Sequence, residues 1–360
     1  MTTVSKLEID QGKAQEFVQK LTEIIVGGRL SLMISIGHQT GLFDVMSELA
    51  PSTSNEVAEA AGLNERYVRE WLAAMVTSRI VEYDPERRTY VLPPEHGSAL
   101  TRAAGLGNRA VMAMMTTLLA QTEQPLIECF RHGGGVPYGA FVGFARIIAE
   151  SNARIFDGTL LQRTLPAVPG IVEQLRAGID VADIACGSGR AINLMARAFP
   201  ASRFTGFDFS DEAVAAARAE ASAWGVTNAR FESADVSALG LADAFDFVTV
   251  FDGIHDQAQP ATVLNNIARA LRTGGTFLMV DIAGSSNLHE NMSDPFAPSK
   301  YALSTMHCMT VSLSQGGAGL GSMWGEQLAR QMLAEAGFTV LDVMRIPGDD
   351  RDYYYVATRE

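Results

Sequence analysis

The sequence predicts a doubly wound α/β sheet in the second half of the chain, preceded by a mainly helical region that contains a winged helix. Short apolar runs alternate with helical patterns from Ile179 onward, which is typical of a parallel sheet with helices on both faces. Ahead of it, two short helical patterns and two strand-like runs follow the order of a winged helix. With 360 residues, the chain is long enough for two hydrophobic cores.

Helical spacing and capping signals define the elements of the N-terminal region. Apolar residues from Ala14 to Met46 recur at helical spacing and predict two helices with a break at Gly27-Gly28. Thr53 and Glu56 form a capping box at the start of a third helix, and Asn64 caps a fourth. Strand-like runs at 80–83 and 89–92 complete the winged helix as a hairpin.

Three segments follow from this pattern. We predict a winged-helix domain over 1–98, a helical connector or lid over 99–175, and the sheet domain over 176–360. The connector is interrupted by a loop from Gly133 to Gly139, because three consecutive glycines do not sustain regular structure. The strand candidates, besides a third strand that ends ahead of Asp235, are Val181 to Ala185, Phe204 to Phe207, Phe247 to Phe251, Thr276 to Ile282, Thr339 to Met344 and Tyr353 to Ala357.

Composition argues against several classes of protein. The formal charge of −13 disfavours nucleic acid as a partner, because phosphate binding depends on a net basic surface. The three cysteines lack the close spacing of a zinc or redox motif and suit a reducing cytoplasm. No apolar run is long enough to cross a membrane, and Met1 to Gln11 lacks the apolar core of a secretion signal. We therefore expect a cytoplasmic protein without a membrane anchor.

A glycine-rich turn after the first strand of the sheet is the clearest candidate for a binding site. The run from Asp183 to Gly189 links that strand to an amphipathic helix, and includes Gly187. Glycine lets the backbone approach a ligand, and the N-terminus of the following helix offers unpaired N–H groups. Asp208 ends the next strand, where a carboxylate can accept hydrogen bonds from both hydroxyl groups of a ribose. A dinucleotide remains an alternative at this point.

Two further acids favour S-adenosylmethionine over a dinucleotide. Asp183 opens the glycine loop and suits the cationic amino group of methionine, whereas neither it nor Asp235 helps to bind a pyrophosphate. Asp235 follows the third strand and suits the exocyclic amine of adenine. Together with the Gly274-Gly275 turn and a terminal strand at 353–356, these motifs resemble class I S-adenosylmethionine-dependent methyltransferases over Ile179 to Glu360. The resemblance implies a Rossmann-like domain with a seven-stranded, mostly parallel sheet.

The resemblance also implies a set of cofactor-binding residues. Ala185 stands where the family usually has its first glycine, and its methyl group demands a slightly wider turn. A plain strand–turn–helix without a ligand is the structural alternative. Tyr138, in the connector loop, is placed to cover the cofactor or to be an ordinary surface aromatic. The full implied set is Asp183, Ala185, Gly187, Gly189, Asp208, Phe209, Asp235, Val236, Phe251 and Tyr138.

His255 follows the fourth strand and is the candidate general base. It stands at the edge of the sheet where ligands of open α/β sheets bind, and could remove the proton of a hydroxyl or phenol acceptor. The position resembles the histidine of small-molecule O-methyltransferases, with Asp281 taking the place of a family glutamate that orients it. Gln257 replaces a frequent tryptophan, and Gly316 to Trp324 contains no second acid. A purely structural histidine is the alternative.

The sequence leaves two alternative functions open. A winged-helix transcriptional regulator is the alternative from another class, although the second helix of that unit alternates acids with arginines. A S-adenosylmethionine-using enzyme with chemistry other than methylation is a further alternative. The apolar N-terminal helices predict a homodimer, as in the resembled family. We predict no metal site, because His307 and Cys308 lack a further ligand at usable spacing. We also predict that the methyl acceptor is a small molecule.

Overall fold

A computed structural model describes residues 9–349 and 351–360. The chain divides into two compact units, one up to Thr117 and one from Leu118. The predicted lack of a secretion signal concerns mainly residues 1–8, which lie outside the described residues. No helix among the residues described here is both long and apolar enough to cross a membrane.

The first unit is a helical domain with a small hairpin. Its elements are α1 (Gln11–Gln39), α2 (Leu42–Glu48), α3 (Ser54–Ala61), α4 (Glu65–Thr77), β1 (Glu82–Asp84), β2 (Thr89–Val91) and α5 (Pro94–Leu100). The predicted capping box starts α3, with the Thr53 N–H donating to Glu56 at 2.7 Å. Strands β1 and β2 pair antiparallel and form the predicted hairpin. Trp71, buried in the core of this unit, donates its indole N–H to the Met33 carbonyl at 2.9 Å.

The predicted helix break at Gly27-Gly28 is wrong. Helix α1 runs uninterrupted from Gln11 to Gln39 and contains both glycines. Neither glycine has the positive φ of a helix C-cap, and a Cβ at either position would meet open space. A glycine inside a helix costs about 1 kcal/mol relative to alanine, which a long helix capped by Asp10 tolerates.

Most of the N-terminal two thirds of α1 is exposed and much of it is apolar. Phe17 is 64% exposed and Ile24 is 61% exposed, and both lie on a helix segment with almost no buried residue. Apolar residues exposed in this number on one helix are typical of interaction surfaces. Further exposed apolar residues of α1 are Val18, Leu21, Ile25, Val26, Leu32 and Ile36.

The second unit contains a helical segment and then the large sheet. Helix α6 (Ala110–Ala120) crosses the division between the units. The helices that follow are α7 (Glu123–His132), α8 (Phe144–Thr159), α9 (Leu165–Ala167) and α10 (Ile171–Ala177). The strands are β3 (Asp180–Ile184), β4 (Arg203–Asp208), β5 (Ala229–Ser233), β6 (Phe245–Phe251), β7 (Leu271–Ile282), β8 (Phe338–Met344) and β9 (Asp352–Arg359). The intervening helices are α11 (Arg190–Ala198), α12 (Asp211–Ala223), α13 (Pro260–Ala270), α14 (Ala297–Leu303), α15 (Met309–Ser314) and α16 (Gly325–Glu335).

The sheet has seven strands in the order β5-β4-β3-β6-β7-β9-β8. The strands from β3 to β7 pair in parallel, and β9 inserts antiparallel between β7 and β8. Two hydrophobic clusters cover its two faces, one around Phe204 and Ile192 and one around Phe277 and Leu264. This confirms the predicted seven-stranded, mostly parallel Rossmann-like sheet. The order also brings the carboxyl ends of β3, β4, β6 and β7 to one edge.

Strand β7 begins well before its predicted first residue. Strand β7 starts at Leu271 rather than Thr276, so the Gly274-Gly275 turn lies within it. Leu271 pairs with Phe245, and the register then shifts before Phe247 pairs with Thr276. Bulges of this kind absorb additional residues without ending the strand.

Candidate active site

The glycine loop forms a sharp turn between β3 and α11. Ala185 has a left-handed φ of 56°, which is unusual for a residue with a Cβ. Gly187 and Gly189 also have positive φ, and Gly189 is the N-cap of α11. A Cβ on Gly189 would come within 2.6 Å of Ala217 and Phe231, so packing as well as backbone geometry requires glycine there. The turn therefore exposes backbone N–H groups at the start of α11.

Asp208 lies at the end of β4 directly beside this turn. One carboxylate oxygen accepts the Gly187 N–H at 2.8 Å and the other accepts the Ser210 N–H at 2.9 Å. Burial raises the pKa of Asp208, and these backbone N–H groups oppose the increase. The Phe209 N–H also contacts this carboxylate, and since a carboxylate has about four acceptor positions, it can still accept from a hydroxyl group of a ligand.

Asp183, at the opposite side of the turn, is almost fully buried. Its side chain accepts a hydrogen bond from the Thr249 hydroxyl at 2.7 Å, across the β3–β6 pair. Burial raises the pKa of Asp183 to about 7; the Thr249 hydrogen bond lowers it and the charge of Asp208 raises it further. A buried acid with this pKa is stabilised in its charged form when a cation binds beside it.

The other predicted cofactor residues lie around these acids in different environments. Asp235 is exposed and accepts the Ser237 N–H at 2.8 Å and the Ser237 hydroxyl at 2.7 Å, while Val236 is buried. Phe251, at the end of β6, is half-buried against Phe156. The remaining pair is brought together directly: Phe209 lies edge-on to Tyr138, with ring centroids 5.2 Å apart.

His255 and Asp281 form a buried pair at the edge of the sheet. His255 Nδ1 lies 2.7 Å from Asp281 Oδ1, and both side chains are at least 95% buried. Because a carboxylate only accepts, Nδ1 carries the proton of this hydrogen bond and Nε2 is the other ring nitrogen. The same Asp281 oxygen accepts the Trp324 indole N–H at 3.0 Å and the Ile282 N–H at 2.8 Å. Asp281 Oδ2 is buried without a hydrogen-bond partner.

The electrostatics of His255 favour its protonated form. Burial disfavours the imidazolium, but the charge and hydrogen bond of Asp281 outweigh burial, with a further contribution from Cys308. The result is a pKa well above the ordinary value of histidine. Burial also raises the pKa of the neighbouring Asp256, to about 6. The pair is thus sensitive to any further positive charge that enters the site.

Two functional-site residues are not among those predicted. Trp324 lies in the very segment in which a second acid was expected, and it contributes a donor instead. Arg351 forms ion pairs with Asp252, the residue after β6, and with Asp352 at 2.8 Å. Asp252 has a left-handed φ of 53°. The sequence offers a signal for Trp324, a large aromatic in a glycine-rich loop, but none for the pairing of Arg351 with Asp252.

No metal site was predicted, and among residues 9–349 and 351–360 no group of three or more His, Cys, Asp or Glu side chains is arranged to hold a metal ion. His307 and Cys308 lie in a π-helical turn, and both are buried. They belong to the surroundings of His255 rather than to a separate cluster.

Comparison with known proteins identifies two domain families along the chain. Residues 28–102 match the Rv2258c-like winged HTH domain, and residues 175–337 match a methyltransferase domain. A demethylmenaquinone methyltransferase of Thermus thermophilus is 32% identical over 102 residues, which cover 28% of this chain and 46% of that protein. The C-methyltransferase UbiE of ubiquinone and menaquinone biosynthesis from Bdellovibrio bacteriovorus is 32% identical over 107 residues, covering 29% and 45%. The chain thus spans about half the length of the curated relatives it matches.

Solved structures share the fold over nearly the whole chain. Human N-acetylserotonin methyltransferase, in complex with S-adenosylmethionine, has a TM-score of 0.70 at 16% identity. The similarity covers 99% of this chain and 99% of that chain. PigF, bound to S-adenosylhomocysteine, has a TM-score of 0.71 at 18% identity over 95% of this chain and 99% of that chain. The mitomycin 7-O-methyltransferase MmcR has a TM-score of 0.67 at 16% identity over 97% and 99%. Residues 175–337 thus form a methyltransferase domain that follows a winged helix-turn-helix domain, and the chain has the fold of S-adenosylmethionine-dependent methyltransferases.

Proposed function

We propose that this protein transfers a methyl group from S-adenosylmethionine to the oxygen of a small hydroxylated acceptor such as a phenol. The observation that carries the proposal is the His255–Asp281 pair at the sheet edge that also presents Asp183 and Asp208. The proposed catalytic domain spans 176–360, after a winged-helix dimerisation domain over 1–98 and a connector over 99–175.

The residues around the glycine loop fit this cofactor. Asp208 can still accept a hydrogen bond from the ribose hydroxyls, and its contact with the Gly187 N–H holds it toward the loop. Asp183 offers a buried carboxylate to the methionine ammonium, which would offset the burial that raises its pKa. Asp235 keeps its second oxygen for the adenine amine. Ala185, Gly189, Phe209, Val236, Phe251 and Tyr138 would form the remaining surface of this site.

When bound, S-adenosylmethionine supplies an electrophilic methyl group on a cationic sulfonium. Methyl transfer is an in-line displacement, so alignment of the acceptor can contribute up to about 7 to 11 kcal/mol. His255 Nε2 would take the proton of the acceptor hydroxyl, because Nδ1 is engaged by Asp281. Asp281 would stabilise the imidazolium that results, and Trp324 and Ile282 hold Asp281 in place.

The raised pKa of His255 sets a condition on this step. A protonated imidazole cannot accept the acceptor's proton, so His255 must lose its own proton before the reaction. A positive charge close to His255 disfavours the imidazolium and lowers its pKa. Occupation of the cofactor site by a cation would therefore favour the neutral, basic form of the histidine.

Titration calorimetry with S-adenosylhomocysteine and, separately, with NAD tests the cofactor. We expect binding of S-adenosylhomocysteine alone, weakened by about 1.5 to 3 kcal/mol in Asp208→Ala because two hydroxyls lose a charged acceptor. Binding of neither ligand would refute the proposal and favour a regulator. An unchanged affinity in Asp208→Ala would refute the ribose assignment.

The reaction itself is tested with S-adenosylmethionine and a panel of phenols. S-adenosylhomocysteine should form in equal amount to the methylated phenol, and His255→Ala should lower kcat by about 100-fold or more with little change in cofactor affinity. If S-adenosylhomocysteine forms with none of the acceptors, the result would point to chemistry other than methyl transfer. An unchanged kcat in His255→Ala would leave the histidine a structural role.

We further propose that the N-terminal domain mediates homodimerisation rather than DNA binding. The exposed apolar face of α1, with Phe17 and Ile24, supports a partner of the same kind. In α4, the arginines are paired along the helix: Arg66 lies 2.5 Å from Glu70 and Arg69 lies 3.5 Å from Glu65. Arginines paired in this way offer little net charge to phosphate. A monomer in light scattering, or a salt-dependent complex with duplex DNA, would contradict this.

A further inference from the structure

The rings of Tyr138, Phe141 and Phe144 surround His307, and we call these three residues the aromatic cluster. Phe144 stacks on the imidazole, with ring centroids 3.9 Å apart and planes at 14°. Phe141 meets it edge-on at 4.6 Å and Tyr138 at 6.1 Å. One face of the imidazole is therefore covered by Phe144, and polar contacts of His307 can be made only at its edge.

The edge of His307 carries an unsatisfied polar atom. His307 is 1% exposed, and its Nε2 is buried without a hydrogen-bond partner. Burial, together with the charge of His255, lowers the pKa of His307 to about 3, so the ring is neutral at physiological pH. Buried polar atoms in folded proteins nearly always have a partner, because an unpaired one is costly. A water or a polar group of a bound ligand at this edge would satisfy the atom.

The position of the aromatic cluster connects it to the cofactor site. Tyr138 lies between the two, since its ring contacts both His307 and Phe209, the residue after Asp208. On the other side, the charge of His255 reaches His307. His307 itself belongs to the π-helical turn Ser304–Cys308, and such turns are frequent at functional sites. A ligand beside both Tyr138 and His255 would place its far edge near His307.

We propose that His307 Nε2 hydrogen-bonds to a second polar group of the acceptor, in addition to the hydroxyl that faces His255. One group receives the methyl at His255 and the other is held by His307. The inference rests on the proposed function of the same site. Aromatic rings favour a flat ligand through stacking, and a neutral imidazole in apolar surroundings provides no counter-charge for an ion.

Calorimetry with naphthols that carry one hydroxyl and dihydroxynaphthalene isomers that carry two tests this inference. Both sets of probes are titrated into the protein with and without saturating S-adenosylhomocysteine. We expect the wild-type protein to bind the best dihydroxy isomer about 3- to 10-fold more tightly than its one-hydroxyl counterpart, the effect of one neutral hydrogen bond. His307→Phe should abolish this preference while leaving affinity for the one-hydroxyl probe unchanged.

Matched variants separate hydrogen bonding from structural damage. His307→Gln keeps a side-chain donor and acceptor and should restore part of the preference, which a merely structural role of His307 would not do. His289→Phe removes an exposed histidine elsewhere in the same unit and should leave the preference unchanged. A preference that persists in His307→Phe, or the failure of every ring probe to bind the wild-type protein, would overturn the inference.

Binding of S-adenosylhomocysteine tests the proposed function, whereas the preference for the dihydroxy probes tests the role of His307. If S-adenosylhomocysteine fails to bind but the dihydroxy probes bind with a preference that depends on His307, the proposed function fails and the aromatic site stands. If S-adenosylhomocysteine binds and the preference is absent, the cofactor assignment stands and the role of His307 is refuted. The imidazole nitrogen resonance of His307 gives an independent readout, since the best dihydroxy probe should shift it.

Discussion

Trp324 donates its indole N–H to the same Asp281 oxygen that His255 contacts, at 3.0 Å and 2.7 Å respectively. Asp281 is 1% exposed, and a carboxylate with hydrogen bonds from an indole, an imidazole and a backbone N–H has little freedom to rotate. Trp324 lies 43 residues beyond Asp281 in the chain, in the loop before α16. That loop therefore helps to position the proposed base although it contains no acid.

Replacing Trp324 by Phe should separate this hydrogen bond from the packing of the ring. The variant keeps the aromatic volume but removes the N–H, so we expect kcat to fall by about 10-fold, the free energy of unfolding to fall by about 1.5 to 3 kcal/mol, and the KM for S-adenosylmethionine to change little. Steady-state kinetics and urea unfolding measure these effects. The control is Trp224→Phe, since Trp224 contacts Arg190 and Arg197 instead. Equal kcat values for the two variants would exclude a role for the indole N–H.

The pH dependence of the reaction should follow His255. A base must be deprotonated, and Asp281 raises the pKa of His255 against the effect of burial, so kcat/KM should rise with pH and level off above neutrality. In Asp281→Asn the pKa of His255 falls, and the rising limb should move to lower pH while the maximum rate decreases because the imidazole is less well oriented. A pH profile measured with one acceptor tests this. If the rising limb of the profile lies at the same pH in both proteins, a group other than His255 causes it.

Cofactor binding should have its own pH dependence, through Asp183. Its pKa of about 7 in the free protein means that the acid is protonated at lower pH, and a ligand ammonium binds the ionised form. Below about pH 7, the affinity for S-adenosylhomocysteine should therefore increase by up to about 10-fold for each unit by which the pH is raised. Above about pH 7 the affinity should be constant. Calorimetry between about pH 5.5 and 8.5 measures this, with proton release on binding as a second readout.

Asp183→Asn provides the matched comparison for that measurement. The amide cannot ionise, so the affinity should be lower at high pH and depend less on pH, with only the contribution of Asp208 remaining. Glu59→Gln, an exposed change in the first unit, should behave as wild type. The same pH dependence in Asp183→Asn and wild type would mean that Asp183 does not face the ammonium.

The elements of the fold follow from local sequence patterns, while several contacts of the site do not. Thr53 with Glu56 marks a helix start because the capping box involves residues three apart, and β6 is mostly apolar because most of it is buried. The helix break predicted at Gly27-Gly28 is wrong because helix α1 tolerates glycine where no turn is required. The partnership of Trp324 with Asp281 depends on how a distant loop folds back, which no periodicity encodes.

The same contrast applies within the candidate site. Asp183, Asp208 and His255 could be chosen from sequence because each stands at the end of a predicted strand, and parallel strands end at one edge. His307 has no such position, since its burial beside Phe144 depends on the π-helical turn and on the connector. Charge states are likewise tertiary properties: the pKa of His255 is raised by Asp281, which lies 26 residues away.

Ala185 offers a test of the strain in the cofactor turn. Its φ of 56° costs a residue with a Cβ about 1 to 2 kcal/mol, whereas glycine adopts this conformation freely but loses about 0.5 to 1 kcal/mol through chain entropy. Ala185→Gly should therefore increase the free energy of unfolding by about 0.5 to 1 kcal/mol, with the affinity for S-adenosylhomocysteine unchanged or improved. Ala185→Val should be destabilised by about 2 kcal/mol or more, because a β-branched residue suits this φ least and the methyl group already lies against Gly253. Urea unfolding of the three proteins decides the point: if glycine destabilises the turn as valine does, the alanine methyl group packs favourably enough to outweigh its backbone strain.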